Sequence, residues 1–152
     1  MNESAVKKNI DQINADYADY GIDLGFEGRK VYLHGKSLNQ WHRDMWVAIA
    51  ENPEINFRCY VRTNLPSKTY DFLSKEYLYT DWCPDVFAWL YSEKLNNGAE
   101  CEYCPLRHED SAGCCDGLFE VYDDMAFNYR FYPSSESLEW VKRSALDMAN
   151  YE

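Results

Sequence analysis

Basic residues are scarce in this chain. Its 152 residues include 26 aspartates and glutamates but only 15 lysines and arginines, and its formal net charge is −11. Because a polyanion is repelled by phosphate backbones, this charge disfavours non-specific binding of DNA or RNA. The chain also lacks an apolar run near the roughly 18 residues that span a bilayer, and it has no Gly-x-x-x-x-Gly-Lys-Ser/Thr phosphate loop. The sequence therefore argues against membrane-spanning and P-loop proteins.

A secretory signal is also missing from the first residues. Residues 1–12 contain no apolar core and no cleavage site of the kind that a signal peptide needs. We therefore expect a cytoplasmic protein, in which thiols stay reduced and clustered cysteines more often bind a metal than form disulfides.

The chain is rich in hydrophobic and aromatic residues. They make up 46% and 16% of it respectively, and tyrosine occurs 13 times. That composition is enough to bury a sizeable core, so we expect one globular domain over residues 1–152 with an embedded Cys/His loop at 101–115. Tyrosine and tryptophan also suit wet interfaces, because each has an apolar body and a polar tip.

The hydrophobic pattern predicts a mixture of helices and strands. Apolar residues recur at helical spacing in residues 4–21, 37–50, 66–75, 84–95 and from 135 onward, and Ser37 is the expected N-cap of the second of these helices. Residues 28–35, 55–62, 118–122 and 126–132 read as strands, the last two joined by a turn at Asp123 and Asp124. Because the two kinds of element do not alternate strictly, the prediction is an α+β fold, a small, mostly antiparallel sheet of about four strands covered by about five helices, with a Cys-rich metal-binding loop.

Four of the six cysteines lie within fifteen residues. Cys101 and Cys104 form a Cys-x-x-Cys pair, which brings two sulfurs to one point, and His108 follows closely. Cys114 and Cys115 come next, and one of them is expected to complete a tetrahedral set, since adjacent side chains diverge. Sulfur and imidazole nitrogen are the ligands of structural zinc, so the sequence predicts such a site here.

Other chemistries fit the same cluster. The thiols could be free or form disulfides, could hold an iron–sulfur cluster despite the absence of ferredoxin spacing, or could be a redox pair. A catalytic zinc would need a general base, for which Glu102 and Glu109 are available, but the order of the residues differs from that of the zinc deaminases. No catalytic residue is assigned, and we expect a protein without enzyme activity.

The negative charge is concentrated around this cluster. Residues 99–124 contain eight acidic residues and one arginine, a net charge of −7. Such a field steers association with a basic surface, such as that of a protein that normally binds nucleic acid. The sequence therefore predicts a small acidic interaction protein or inhibitor, a nucleic-acid mimic of the kind that mobile elements use against host defence. Six carboxylates are the predicted partner-binding residues: Glu102, Glu109, Asp110, Asp116, Asp123 and Asp124.

The alternative function is a zinc-containing nucleic-acid-binding protein or a metal-dependent enzyme. Residues 28–80 have a net charge of +3, and Arg58, Tyr60 and Arg62 share one face of the predicted strand 55–62. A sheet face with exposed aromatic and basic side chains is typical of RNA binding.

Purified under reducing conditions, the protein is expected to contain about one zinc ion per chain. Cys101→Ser or Cys104→Ser should release the metal and lower the melting temperature, because binding of a structural metal is coupled to folding. Elemental analysis and thermal melts test this. Zinc-free protein that melts at an unchanged temperature after either substitution would contradict it.

Overall fold

The computed structural model describes residues 3–55, 57–77, 86–90, 95 and 118–150. These residues form seven α-helices, one of them a single turn, a short 3-10 helix and three strands. In chain order they are α1 (Glu3–Asp16), the 3-10 helix (Ala18–Tyr20), β1 (Leu24–Glu27), β2 (Lys30–Leu33), β3 (Lys36–Ser37), α2 (Leu38–Glu51), α3 (Phe57–Asn64), α4 (Ser67–Tyr77), α5 (Val86–Trp89), α6 (Leu118–Phe131) and α7 (Ser135–Ala149). The predicted α+β class is confirmed, with a small antiparallel sheet and helices packed around it. None of the described helices has the length and apolar character required to cross a membrane.

The sheet is a three-stranded antiparallel meander in the order β1-β2-β3. Residues 28–35 were predicted as one strand, but only β2 occupies their centre, because each end is a two-residue turn. Gly28 and Arg29 have φ of 58° and 64°, and His34 and Gly35 have φ of 52° and 77°. Positive φ at both central residues gives the backbone twist that tight hairpins need. These turns add β1 and β3, which the sequence analysis missed.

The predicted strand 55–62 is wrong, since α3 occupies this part of the chain. Tyr60 and Val61 are buried, and so is Leu65 just after the helix. Their spacing of one and four residues belongs to a helix face that packs against α2 and α4. An alternating strand would have placed Cys59 on the same side as Val61, in the core, but Cys59 is exposed. The hydrophobic pattern of this short segment is compatible with both a strand and a helix, and tertiary packing determined that it forms a helix.

The predicted hairpin at 118–132 is also wrong. A single helix, α6, covers these residues, and Asp123 and Asp124 lie in its interior rather than in a turn. Phe119, Tyr122 and Tyr129 are half-buried at spacings of three and seven, which place them on one side of a helix. Each aromatic residue on its own favours a strand, and this preference led to the wrong prediction. The spacing of the half-buried aromatic residues fits a helix.

Four predicted helices are confirmed by α1, α2, α4 and α7. The predicted N-cap of α2 is present, because the Ser37 hydroxyl accepts a hydrogen bond of 3.2 Å from the backbone N–H of Gln40. At the start of α7, Ser134 and Ser137 form a reciprocal capping box. Each cap satisfies backbone donors that the first turn of a helix leaves without an intrahelical partner.

Helix α2 lies at the centre of the described structure and contacts α3, α5, α7, β2 and β3. Half of its fourteen residues are buried. Two of them carry a polar group into the core. Trp41 Nε1 donates to the Leu33 carbonyl oxygen at 2.8 Å, and His42 Nε2 lies 2.8 Å from the Met148 carbonyl oxygen. Because a carbonyl oxygen only accepts, His42 must carry its proton on Nε2.

The described residues around α5 are deeply buried. Val86, Phe87, Trp89 and Leu90 are each at most 2% exposed. The Phe87 ring stacks on Trp41 with centroids 5.5 Å apart. The rest of the predicted helix at 84–95, apart from Leu95, lies outside the described residues.

Met148, with no exposed surface, anchors α7 against the core. Met148→Ala is expected to lower the free energy of unfolding by about 2–4 kcal/mol, because it removes buried methylene groups and leaves a cavity. The neighbouring Leu146 is 43% exposed and supplies the control, since Leu146→Ala should cost only about 0.5 kcal/mol. Equal losses in a denaturant titration would show that the register of α7 is different.

Candidate functional site on α6

Most of the predicted site residues lie outside the described residues. This holds for all five predicted metal ligands and for four of the six predicted partner-binding carboxylates: Cys101, Cys104, His108, Cys114 and Cys115, and Glu102, Glu109, Asp110 and Asp116. The zinc site therefore stays a prediction. Within the described part of the chain, no three His, Cys, Asp or Glu residues form a group that could hold a metal ion.

The other two predicted carboxylates lie in the first half of α6. Asp123 and Asp124 are both exposed, and Glu120 is exposed with them. Glu120 and Asp124 are four residues apart and so lie one above the other on the same face. Acidic residues near a helix N-terminus also stabilise the helix dipole, so this charge alone does not identify a site.

Exposed aromatic residues continue the same face toward the C-terminal end of α6. Phe127 is 63% exposed and Phe131 57% exposed, and their rings pack together with centroids 4.6 Å apart. Glu120, Asp124, Phe127 and Phe131 follow one another at spacings of four, three and four, so they form one stripe, here called the α6 outer face. Clustered exposed apolar side chains mark interaction sites more often than scattered ones.

The opposite side of α6 attaches the helix to the body of the protein. The Tyr122 ring meets Trp46 of α2 edge-on, with centroids 4.9 Å apart, and contacts Phe119 at 6.2 Å. Burial raises the pKa of the Tyr122 phenol, and the neighbouring charge of Asp123 raises it further. Together with the packing of α6 on α7, this contact fixes which face of α6 points outward.

A groove runs between α6 and the segment that follows α2. It has a volume of about 650 Å³, within the range of small-ligand sites. We call it the α6 groove. Its lining comes from two parts of the chain, one on each side: Pro53, Glu54 and Ile55 after α2, and Tyr122, Asp123, Ala126, Phe127, Tyr129, Arg130 and Pro133 in and just after α6.

Sequence reasoning missed the aromatic half of this surface because it placed Phe127 and Phe131 on a strand. The spacing of residues 120, 124, 127 and 131 could have revealed this surface. If the segment is taken as a helix, these two acidic and two aromatic residues lie on one face. The groove gives no such signal, because residues 53–55 are distant from α6 in sequence.

The predicted basic strand face is corrected by the structure. Tyr60 is only 7% exposed, and burial together with the charge of Asp44 raises its pKa. Arg62 lies over the Tyr70 ring at 4.9 Å, and its Nη2 donates to the Tyr70 hydroxyl at 3.0 Å. Tyr60 and Arg62 therefore do not form the exposed aromatic and basic surface that RNA binding required.

The raised pKa of Tyr122 predicts a specific loss of stability in alkali. A phenol whose pKa is higher in the folded state contributes stability that is complete below its unfolded value of about 10 and is lost as the pH rises through the folded value. Tyr122→Phe should therefore lose less stability than the wild type between pH 9 and 11 in denaturant titrations. Tyr132, 73% exposed, gives the control, and Tyr132→Phe should follow the wild type. Parallel curves for all three proteins would contradict the burial of the Tyr122 phenol.

Comparison of the chain with protein-family models, with curated proteins and with solved structures gave no match.

Proposed function

We propose that this chain is a small acidic interaction protein, an inhibitor by occupation, which binds a basic protein surface through the α6 outer face. The observation that supports this most is the alignment of exposed acids with exposed aromatics on one helix. Glu120 and Asp124 are followed on the same helix face by Phe127 and Phe131. The two phenylalanine rings are exposed to solvent and contact each other.

The two halves of the face do different physical work. The acids, with the net charge of −11, attract a basic partner over long range and set the association rate and its salt dependence. The phenylalanine rings provide apolar area that is desolvated on contact, and aromatic residues are enriched in the buried cores of protein interfaces. Acids alone would give fast but weak binding.

The partner that fits this face best is a protein that normally binds nucleic acid. Such a protein offers a basic surface, and an acidic body can occupy it in place of the phosphate backbone. An anti-defence protein of a mobile element would act in this way. This is a function of binding, and it requires no catalytic residue.

The structural zinc belongs to the same proposal. Cys115 lies three residues before the start of α6 in the sequence. A zinc ion held by Cys101, Cys104, His108 and one of Cys114 and Cys115 would fix the segment that leads into this helix. The Cys-x-x-Cys spacing and the nearby histidine and cysteines support the proposal.

Reversing two charges on the α6 outer face tests the function. Glu120→Lys with Asp124→Lys should lower recovery of the captured partner from a host lysate. With that partner purified, it should slow association about tenfold at low salt and flatten the salt dependence, because rim charges act mainly on association. Binding kinetics at several salt concentrations give both quantities.

The control must carry the same change of net charge elsewhere. Asp11→Lys with Asp19→Lys changes two exposed carboxylates in and just after α1. This variant should retain most of the association rate. If both variants slow association equally, only the net charge matters, and the α6 outer face is not the binding surface.

A further inference from the structure

We propose that the α6 groove binds an arginine side chain of the basic partner. This rests on the proposed function and adds to it a defined recognition site next to the outer face. The groove differs from the outer face in having two walls, one from residues 53–55 and one from α6.

The α6 wall of the groove carries the types of side chain that would contact a flat cation. Tyr122, Ala126 and Tyr129 line it at spacings of four and three, so a small residue separates two tyrosines along one side of the helix. The alanine fills little of the groove, and the two tyrosines contribute aromatic rings to its lining. A guanidinium group stacks on aromatic rings, and the attraction grows as water is excluded from the contact.

Carboxylates approach the groove from both walls. Glu54 comes from the segment after α2 and Asp123 from α6, and both are exposed. Two carboxylates from different elements can accept the divergent N–H groups of one guanidinium, which a compact ammonium group matches less well. The lining therefore favours arginine over lysine.

The groove also contains one cation of the protein itself. Arg130 is seven residues after Asp123, about 10 Å along the helix axis, so the two lie at different ends of the α6 wall. A second copy of this chain is a poor occupant, since it would bring another net charge of −11 to this acidic surface. The charge of the surface selects a basic segment of another protein.

The site can be tested without knowing the partner. N-acetyl-arginine amide is titrated into the ¹⁵N-labelled protein and followed by NMR. The amide signals of Glu54, Tyr122, Asp123 and Tyr129 should shift and saturate, with a dissociation constant of about 1 mM, as the efficiency of small ligands allows. N-acetyl-citrulline amide has the same shape without the charge and should bind at least tenfold more weakly. N-acetyl-lysine amide should lie between the two.

Single substitutions locate the contact. Glu54→Gln should weaken arginine binding about threefold to fivefold, the loss of one exposed ion pair. Glu51→Gln removes an exposed carboxylate three residues away, outside the groove, and should leave the affinity unchanged. Arg130→Gln removes a like charge and should strengthen binding about twofold.

Shifts that spread over acidic residues across the whole surface, or equal binding of arginine and citrulline amides, would overturn the proposal. The citrulline comparison uses the wild-type protein, so it decides the matter even where a variant fails to fold. The two proposals fail separately. If Glu54→Gln leaves arginine binding intact but the outer-face charge reversal abolishes partner binding, the groove is wrong and the function stands. If arginine binds in the groove but the outer-face reversal has no effect on the partner, the function is wrong.

Discussion

The burial of α2 is the constraint on which the rest of this structure depends. A helix that is surrounded by other elements must satisfy every polar group that it carries inward. Trp41 and His42 do so by hydrogen bonding to the Leu33 carbonyl of β2 and the Met148 carbonyl of α7. These two bonds join the sheet on one side and the last helix on the other to the same two consecutive residues.

The position of α7 then determines the position of α6. Helix α7 packs against α2 and against α6, while Tyr122 of α6 also reaches Trp46 of α2. These contacts use the inner side of α6, so the fold places no demand on Phe127 and Phe131. Exposing two large aromatic rings loses hydrophobic stabilisation that burial would give, and the proposed binding role would account for their exposure.

Charge and shape act together on this side of the molecule. The carboxylates in the first half of α6 interact favourably with the helix dipole, and in the proposed function they also attract a basic partner. The groove beside these carboxylates adds a defined shape to the charged surface, because its two walls come from separate parts of the chain. An acidic surface alone would discriminate weakly among basic proteins, whereas the arginine site proposed for the groove would add specificity to the attraction.

Several features of the fold could be predicted from the sequence. The apolar stripe of Val6, Ile10 and Ile13 gave α1, and the cap at Ser37 gave the start of α2. These predictions were confirmed because apolar spacings of four and three residues fit a helix and not a strand. The serine cap could be predicted because it bonds only to the backbone in the first turn of its own helix. The sequence also predicted Asp123 and Asp124 as partner-binding carboxylates, which requires them to be exposed. Both are exposed, although they lie in a helix and not in the predicted turn.

The structure of residues 57–64 and 118–131 was decided only by tertiary packing. Aromatic and β-branched residues favour strands locally, but in the folded protein α3 packs as a helix against α2 and α4, and α6 packs as a helix against α7. The sequence by itself determined the charge, the amount of apolar material and the well-capped helices, because these depend on composition and on neighbours within one turn. The tertiary structure decided which face of α6 meets solvent and which distant segment forms the opposite wall of its groove, because both depend on contacts between residues far apart in the chain.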